Sequence, residues 1–392
     1  MIMMREELKT KIAESLKESQ YDAVAVFGAD NVQYMSGAHL HYPPTFPDRY
    51  MTVFWARGEE PICIVPPEWE SSFLHMAWVS KSRTYTEKPG SPAGVAEAVA
   101  NLTRNTVRKT GKIGVDVERT PLNLYRRLEA ALEDFTLAPC DGWLRELRMR
   151  KTPKELALLE KVAEMTDHAL AGQAHHVLVK QASTEMSNTE NVRIHAIERG
   201  LDEVGHHAVA QVTSGPNTRK FWPGAPMYGI GYDRVPQHRE FMRMELTATL
   251  NGYWSKGGRM LTMGEPTEEQ SAAYQGLVAL REVALRYMKP GATCRDVYTA
   301  VKQAADEKGI QLVPNLVIGA GVGVTDHEPP YISGADETVL QQGMVVVLCP
   351  VVKAPGGELL MGRDTVFITE EGGEVVGWFK DWREPFISNY TY

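Results

Sequence analysis

Residues 150–155, Arg-Lys-Thr-Pro-Lys-Glu, write a helix start between two stretches of different texture. Thr152 stands where a cap is needed, Pro153 at the first helical position, and Glu155 three residues beyond the cap. That spacing is a capping box, in which side chains satisfy backbone N–H groups the helix cannot. Leu156, Leu159, Val162 and Ala163 follow on one helical face. Before this point strand and helix signals alternate. Residues 21–27, 51–55, 61–65 and 112–117 read as strands, and 93–110 and 121–132 as helices. Such alternation predicts an α/β domain over 1–150. After it, strand signals dominate at 241–250, 253–261, 313–318, 345–352 and 364–369, with helices at 268–288 and 294–308. Strands with helices grouped apart from them predict an α+β domain over 151–392.

Charge and cysteine usage narrow the function classes. The formal net charge is −8 and no run of Lys and Arg exceeds two residues. This argues against a nucleic-acid binder and a polybasic membrane anchor. No stretch reaches the roughly 18–20 apolar residues of a membrane span. The N-terminus turns charged at Arg5 and reads as an amphipathic helix rather than a signal peptide. Cys63, Cys140, Cys294 and Cys349 are far apart, which excludes a zinc-finger or disulfide scaffold and suits a reducing cytoplasm.

Several short motifs then occur in a telling order. They are Asn31-Val32-Gln33-Tyr34-Met35-Ser36-Gly37, Ser214-Gly215-Pro216-Asn217, Asn251-Gly252-Tyr253-Trp254-Ser255, His327-Glu328-Pro329-Pro330, Gly343-Met344-Val345 and Asp364-Thr365-Val366-Phe367. Together they resemble the pita-bread group of creatinase, prolidase, aminopeptidase P and methionine aminopeptidase. The resemblance implies a creatinase/prolidase-like N-terminal domain and a pita-bread catalytic domain. It also implies, for the group's peptidases, two divalent metals held by two Asp, one His and two Glu. In this chain the five matching positions hold Glu245, Lys256, Ala320, Cys349 and Arg363. Divalent cations need anionic oxygen or neutral imidazole ligands, so these residues predict no metal and no other cofactor. Creatinase works without metal, but Trp222 and Gly258 stand where its acid/base His and an acidic residue are implied.

The resulting expectation is a metal-independent, creatinase-like enzyme that hydrolyses an amide-type C–N bond in a small anionic molecule. The alternatives are a lyase acting on a small carboxylate, a non-catalytic ligand-binding protein, and a prolidase-like metal-dependent hydrolase with rebuilt ligands. Glu245 is the candidate base, paired with Lys256; Lys256 and Arg363 are candidate oxyanion stabilisers or carboxylate binders. His327 is the candidate acid/base group, because imidazole titrates near neutral pH. Cys349 is either a nucleophile activated by neighbouring cations or a packed core thiol. The candidate substrate-binding residues are Trp222, Tyr228 and Tyr232 in a Gly/Pro-rich loop, together with Arg259, Glu328 and Asp364. One of His206 and His207 faces inward by strand alternation. By resemblance, His41 and Arg49 belong to a loop that reaches the partner's site in a homodimer.

Overall fold

The computed structural model describes residues 2–38, 49–86, 92–179, 183–201, 209–220, 233–314 and 317–388. Backbone contacts divide the chain into two units, Met1–Arg148 and Met149–Tyr392.

The first unit runs α1 (Ile2–Glu18), β1 (Ala23–Val26), α2 (Ala29–Ser36), β2 (Thr52–Ala56), β3 (Ile62–Val65), α3 (Glu70–Met76), β4 (Lys81–Thr84), α4 (Ala93–Thr106), β5 (Lys112–Val115), α5 (Leu122–Ala131) and β6 (Thr136–Pro139), with α6 (Asp141–Met149) closing it. Its strands form one mixed sheet in the order β4-β3-β2-β1-β5-β6. The strands β1, β2 and β5 are almost wholly buried, and α4 and α5 cover them with Val95, Val99, Leu124 and Leu128. Asp116 anchors the turn from β1 into α2: it accepts from the N–H groups of Phe27 and Gly28 and from Asn31 Nδ2. Gly37 ends α2 at φ 70°, where a left-handed residue is needed.

The second unit begins with α7 (Pro153–Val179). Its capping box is in place: Thr152 N–H donates to Glu155 Oε2 at 2.7 Å, and Glu155 N–H to Thr152 Oγ1 at 3.3 Å. Then come α8 (Glu185–Glu198), β7 (Val209–Ser214), β8 (Phe241–Leu250), β9 (Tyr253–Met263), α9 (Glu268–Tyr287), α10 (Cys294–Lys308), β10 (Gly319–Gly321), β11 (Glu328–Tyr331), β12 (Val345–Leu348), β13 (Val351–Lys353), β14 (Leu359–Met361), β15 (Asp364–Ile368), β16 (Gly373–Val376) and β17 (Phe386–Ser388). One sheet is ordered β17-β9-β8-β7 and another β11-β10-β12-β15-β16. Leu277, Leu280, Val297, Val301, Val346 and Val366 belong to the core that α9 and α10 bury against the strands. This is the α+β layout the sequence predicts.

The long β8–β9 hairpin follows from its turn. Asn251 and Gly252 sit at φ 50° and 76°, and Leu250 pairs with Tyr253. Two residues of positive φ match the right-handed twist of the strands, which is why Asn-Gly favours such turns. Two sequence expectations fail locally. The described residues of the 313–318 stretch, 313, 314, 317 and 318, are in no strand; Leu312 makes an isolated bridge to Val352 and β10 begins at Gly319. The 345–352 run breaks at Pro350 into β12 and β13, because proline has no N–H to give the ladder.

Candidate functional site

The register of β8 on β9 decides which side chains meet. Thr247 faces Lys256, Glu245 faces Gly258 and Met244 faces Arg259. Cross-strand partners share a face and side chains alternate along each strand. Arg243, Glu245, Lys256 and Gly258 therefore lie on one face and Arg259 on the other. Gly258 also makes an isolated bridge to Arg363, one residue before β15. A Cβ at 258 would stand 3.1 Å from Arg363 Cγ and 3.2 Å from Met361 Cε. The absent side chain leaves the room in which the Arg363 stem lies.

Arg363 Nη2 comes 2.8 Å from Glu245 Oε2, and Arg243 Nε comes 2.6 Å from Glu245 Oε1. All three side chains are buried. Burial alone would raise the Glu245 pKa, but the Arg363 and Arg243 guanidiniums outweigh it and hold the carboxyl below its ordinary value. Lys256 Nζ pairs with Asp326 Oδ2 at 3.1 Å; the lysine side chain is 7% exposed and the aspartate 33%. Trp254 N–H donates to the Gly323 carbonyl at 2.8 Å, which ties the loop carrying Asp326 and His327 to β9. Desolvation lowers the Lys256 pKa against the pull of Asp326.

His327 is exposed beside this pair and its ring is tilted on Tyr331 at 5.2 Å. Partial desolvation, then the Lys256 charge, lowers its pKa, which favours neutral imidazole at neutral pH. Cys349 follows β12 and is half-buried. Burial raises its pKa and outweighs the neighbouring Arg363 and Lys256. Of the two readings of Cys349, the raised pKa favours the packed thiol over the activated nucleophile; the expected Glu245–Lys256 pair is corrected to Glu245–Arg363 and Lys256–Asp326.

The structure brings together Glu245, Lys256, His327, Cys349 and Arg363. Among the described candidate substrate binders, Arg259, Asp364 and Glu328 spend their charges on other partners. Arg259 turns to α7 and pairs with Asp167 at 2.9 Å. Asp364 accepts from Arg281 Nε at 2.5 Å and from Trp382 Nε1 at 2.9 Å. Glu328 is buried against Lys151 at 3.1 Å and accepts from Thr325 Oγ1. Arg49 donates to Glu68 at 2.9 Å. His41, His206, His207, Trp222, Tyr228 and Tyr232 lie outside the described residues. Sequence reasoning missed Arg243 and gave Asp326 no role. Strand periodicity could have found Arg243, two residues before Glu245; nothing local announces the Lys256–Asp326 pair.

Whether this donor set fits a metal pair can be tested on the structure. Glu245 spends both oxygens on guanidiniums, and Arg363 and Lys256 bring positive charge to the same cluster. Among the described residues no group of three His, Cys, Asp or Glu side chains could hold a metal ion. The described residues do not fit such a pair.

Comparison with known proteins places this geometry. The model of metallopeptidase family M24 matches residues 157–370, and that of the creatinase/prolidase N-terminal domain matches residues 9–150. A Xaa-Pro dipeptidase of Pyrococcus horikoshii is 24% identical over 95% of this chain and 97% of its own. A Xaa-Pro dipeptidase of Pyrococcus furiosus is 28% identical over 60% of this chain and 64% of its own. The solved Xaa-Pro dipeptidase from Bacillus anthracis, 20% identical, superposes with a TM-score of 0.80 over 98% of this chain and 99% of its own, which shows the shared fold.

These findings overturn the expected chemistry. Relatives along nearly the whole chain are named dipeptidases within a metallopeptidase family. The metal-independent, creatinase-like, non-peptidase hydrolase is therefore withdrawn. The error came from reading the replaced positions as a new reaction class, when they report only on what those positions can hold.

Proposed function

The chain belongs to metallopeptidase family M24, and from that premise we propose that its C-terminal unit takes a short peptide of the Xaa-Pro kind as its substrate. The observation that carries this reading is the clustering of Lys256, Arg363 and His327 in the M24 unit. Lys256 and Arg363 offer positive charge to a peptide carboxylate. His327, neutral and exposed, offers a hydrogen bond to a peptide carbonyl. Binding without cleavage is the second reading, favoured by the two arginines that occupy Glu245.

Release of free proline from Ala-Pro and Leu-Pro, with and without added manganese, tests both readings beside calorimetric binding of the same peptides. Proline release that falls in His327→Ala supports the first. Saturable binding with no release supports the second. Neither binding nor release overturns both. On the same reading two copies associate; a monomer in sedimentation at micromolar concentration overturns that arrangement.

A further inference from the structure

Lys151 stands one residue before Thr152, the cap of α7, and its side chain is 1% exposed. Its Nζ donates to Glu328 Oε1 at 3.1 Å, and the glutamate side chain is 6% exposed. Taking both charges out of water is expensive, and such a pair stabilises a fold little beyond what packed apolar side chains would do. Its contacts point to another use. Lys151 is itself fixed, because its N–H donates to the Gly343 carbonyl at 2.8 Å and α7 starts at Pro153. Glu328 Oε2 accepts from Thr325 Oγ1 at 3.0 Å. A Cβ at Gly323 would stand 2.6 Å from Glu328 Oε1 and 3.3 Å from Lys151 Cε, so the pair lies against Gly323 as well. The Gly323 carbonyl in turn accepts from the Trp254 N–H. Residues 323–328 are thus fastened at both ends, and His327 is the residue before Glu328. Neighbouring residues of an extended chain point to opposite sides, and here Glu328 is buried while His327 is exposed.

We propose that the buried Lys151–Glu328 pair positions His327: with Glu328 drawn inward to Lys151, the 323–328 loop takes one arrangement, and the imidazole is held against Tyr331 and beside Lys256. Lys151 and Glu328 are then positioning residues that act through His327. Without the pair the loop loses its inner fastening and the imidazole turns away from both neighbours. This placement stands on the contacts of the loop. What His327 does for a peptide rests on the reading above.

The test follows the His327 imidazole by NMR in the full chain carrying isotope-labelled histidine, its signal being the one absent from His327→Ala. The parent should titrate below the ordinary 6.5, where partial burial, Lys256 and Arg363 outweigh Asp326. Its ring signals should also carry a Tyr331 ring shift, since the two rings lie 5.2 Å apart, and Tyr331→Leu should remove it. Lys151→Met strands the Glu328 charge and should lower stability in chemical unfolding. Lys151→Met together with Glu328→Leu removes both charges and should restore most of that stability. In this double variant the His327 midpoint should still lie nearer 6.5, the Tyr331 shift should be reduced, and proline release from Ala-Pro should fall to the level of His327→Ala. A merely structural pair predicts instead that stability and the His327 signals recover together. Glu328→Gln keeps the shape of the side chain, removes its charge, and should move the His327 signals in the same direction. Parent-like His327 signals in either folded variant overturn the positioning role and leave the peptide reading standing. Displaced signals with no proline released by any of the proteins, the parent included, support the positioning role and overturn cleavage.

Discussion

Arg363, one residue before β15, meets Glu245 at 2.8 Å over a residue with no side chain, Gly258. The contact joins the β8–β9 hairpin to the segment that enters β15. Breaking one side of a buried pair leaves an uncompensated charge and costs about 3–5 kcal/mol. Arg363→Gln should therefore lower the denaturant midpoint of the C-terminal unit markedly. Adding Glu245→Gln to it should cost less than the sum of the two single changes, because the Arg363–Glu245 contact is lost only once, Arg243 still facing Glu245 in the first variant. A double-mutant cycle by chemical unfolding reads this directly, and strict additivity would contradict the coupling.

Gly258→Ala tests the crossing itself. Its Cβ would stand 3.1–3.3 Å from Arg363 Cγ and Cβ and from Met361 Cε, closer than ordinary contact. Overpacking of this kind costs about 1–3 kcal/mol. The loss should shrink when Gly258→Ala is made together with Arg363→Gln, which removes the guanidinium end that fixes the stem. Thermal unfolding of the four proteins distinguishes this from a general intolerance of β9 to substitution.

The pH dependence follows from the sign of the Glu245 shift. Its folded pKa lies below the ordinary value of 4.5. The carboxylate's contribution is fully present above that value and is lost as pH falls through the folded pKa. Unfolding free energy measured from pH 7 downward should decline below about pH 4.5, with a shallower decline in Glu245→Gln. Equal slopes for the two proteins would count against Glu245 as a source of the acid sensitivity.

Asp364 separates structural from ligand-binding roles. It holds Arg281 and Trp382, and Arg259 lies 3.5 Å away. Asp364→Ala should destabilise by about 3 kcal/mol, since two arginines lose a buried counter-charge. In whatever fraction remains folded, the affinity for Ala-Pro should be unchanged, because these contacts lie on the α7 side of β9. A loss of affinity without a loss of stability would place Asp364 in the pocket after all.

In the N-terminal unit, Asp116 accepts from two backbone N–H groups and from Asn31. Asp116→Ala would leave Phe27 and Gly28 without acceptors at the start of α2. Each unmet buried donor costs about 1–3 kcal/mol. Proteolysis should cut first near residues 27–38 in this variant, and protection equal to the parent chain would refute the anchoring role.

What the sequence determined by itself is whatever depends on neighbours along the chain. The capping box at Thr152 and Glu155, the hairpin turn at Asn251-Gly252 and the strand pattern of 241–250 each carry their own local chemistry. Their order, with the dispersed motifs, made the two-domain α/β and α+β layout legible. Convergence of Glu245, Lys256, His327, Cys349 and Arg363 was legible only through resemblance. Who pairs with whom inside that pocket was not legible at all. Glu245 has Lys256 eleven residues away in sequence, yet it binds Arg363, because the register of β8 on β9 and the gap at Gly258 bring Arg363 closer. Lys256 binds Asp326 because Gly323 is pinned to Trp254. The Cys349 thiol has its pKa raised because burial outweighs the cations beside it. Charge partners and pKa shifts depend on distance and desolvation, which are set by long-range packing, and so the tertiary structure alone decided them.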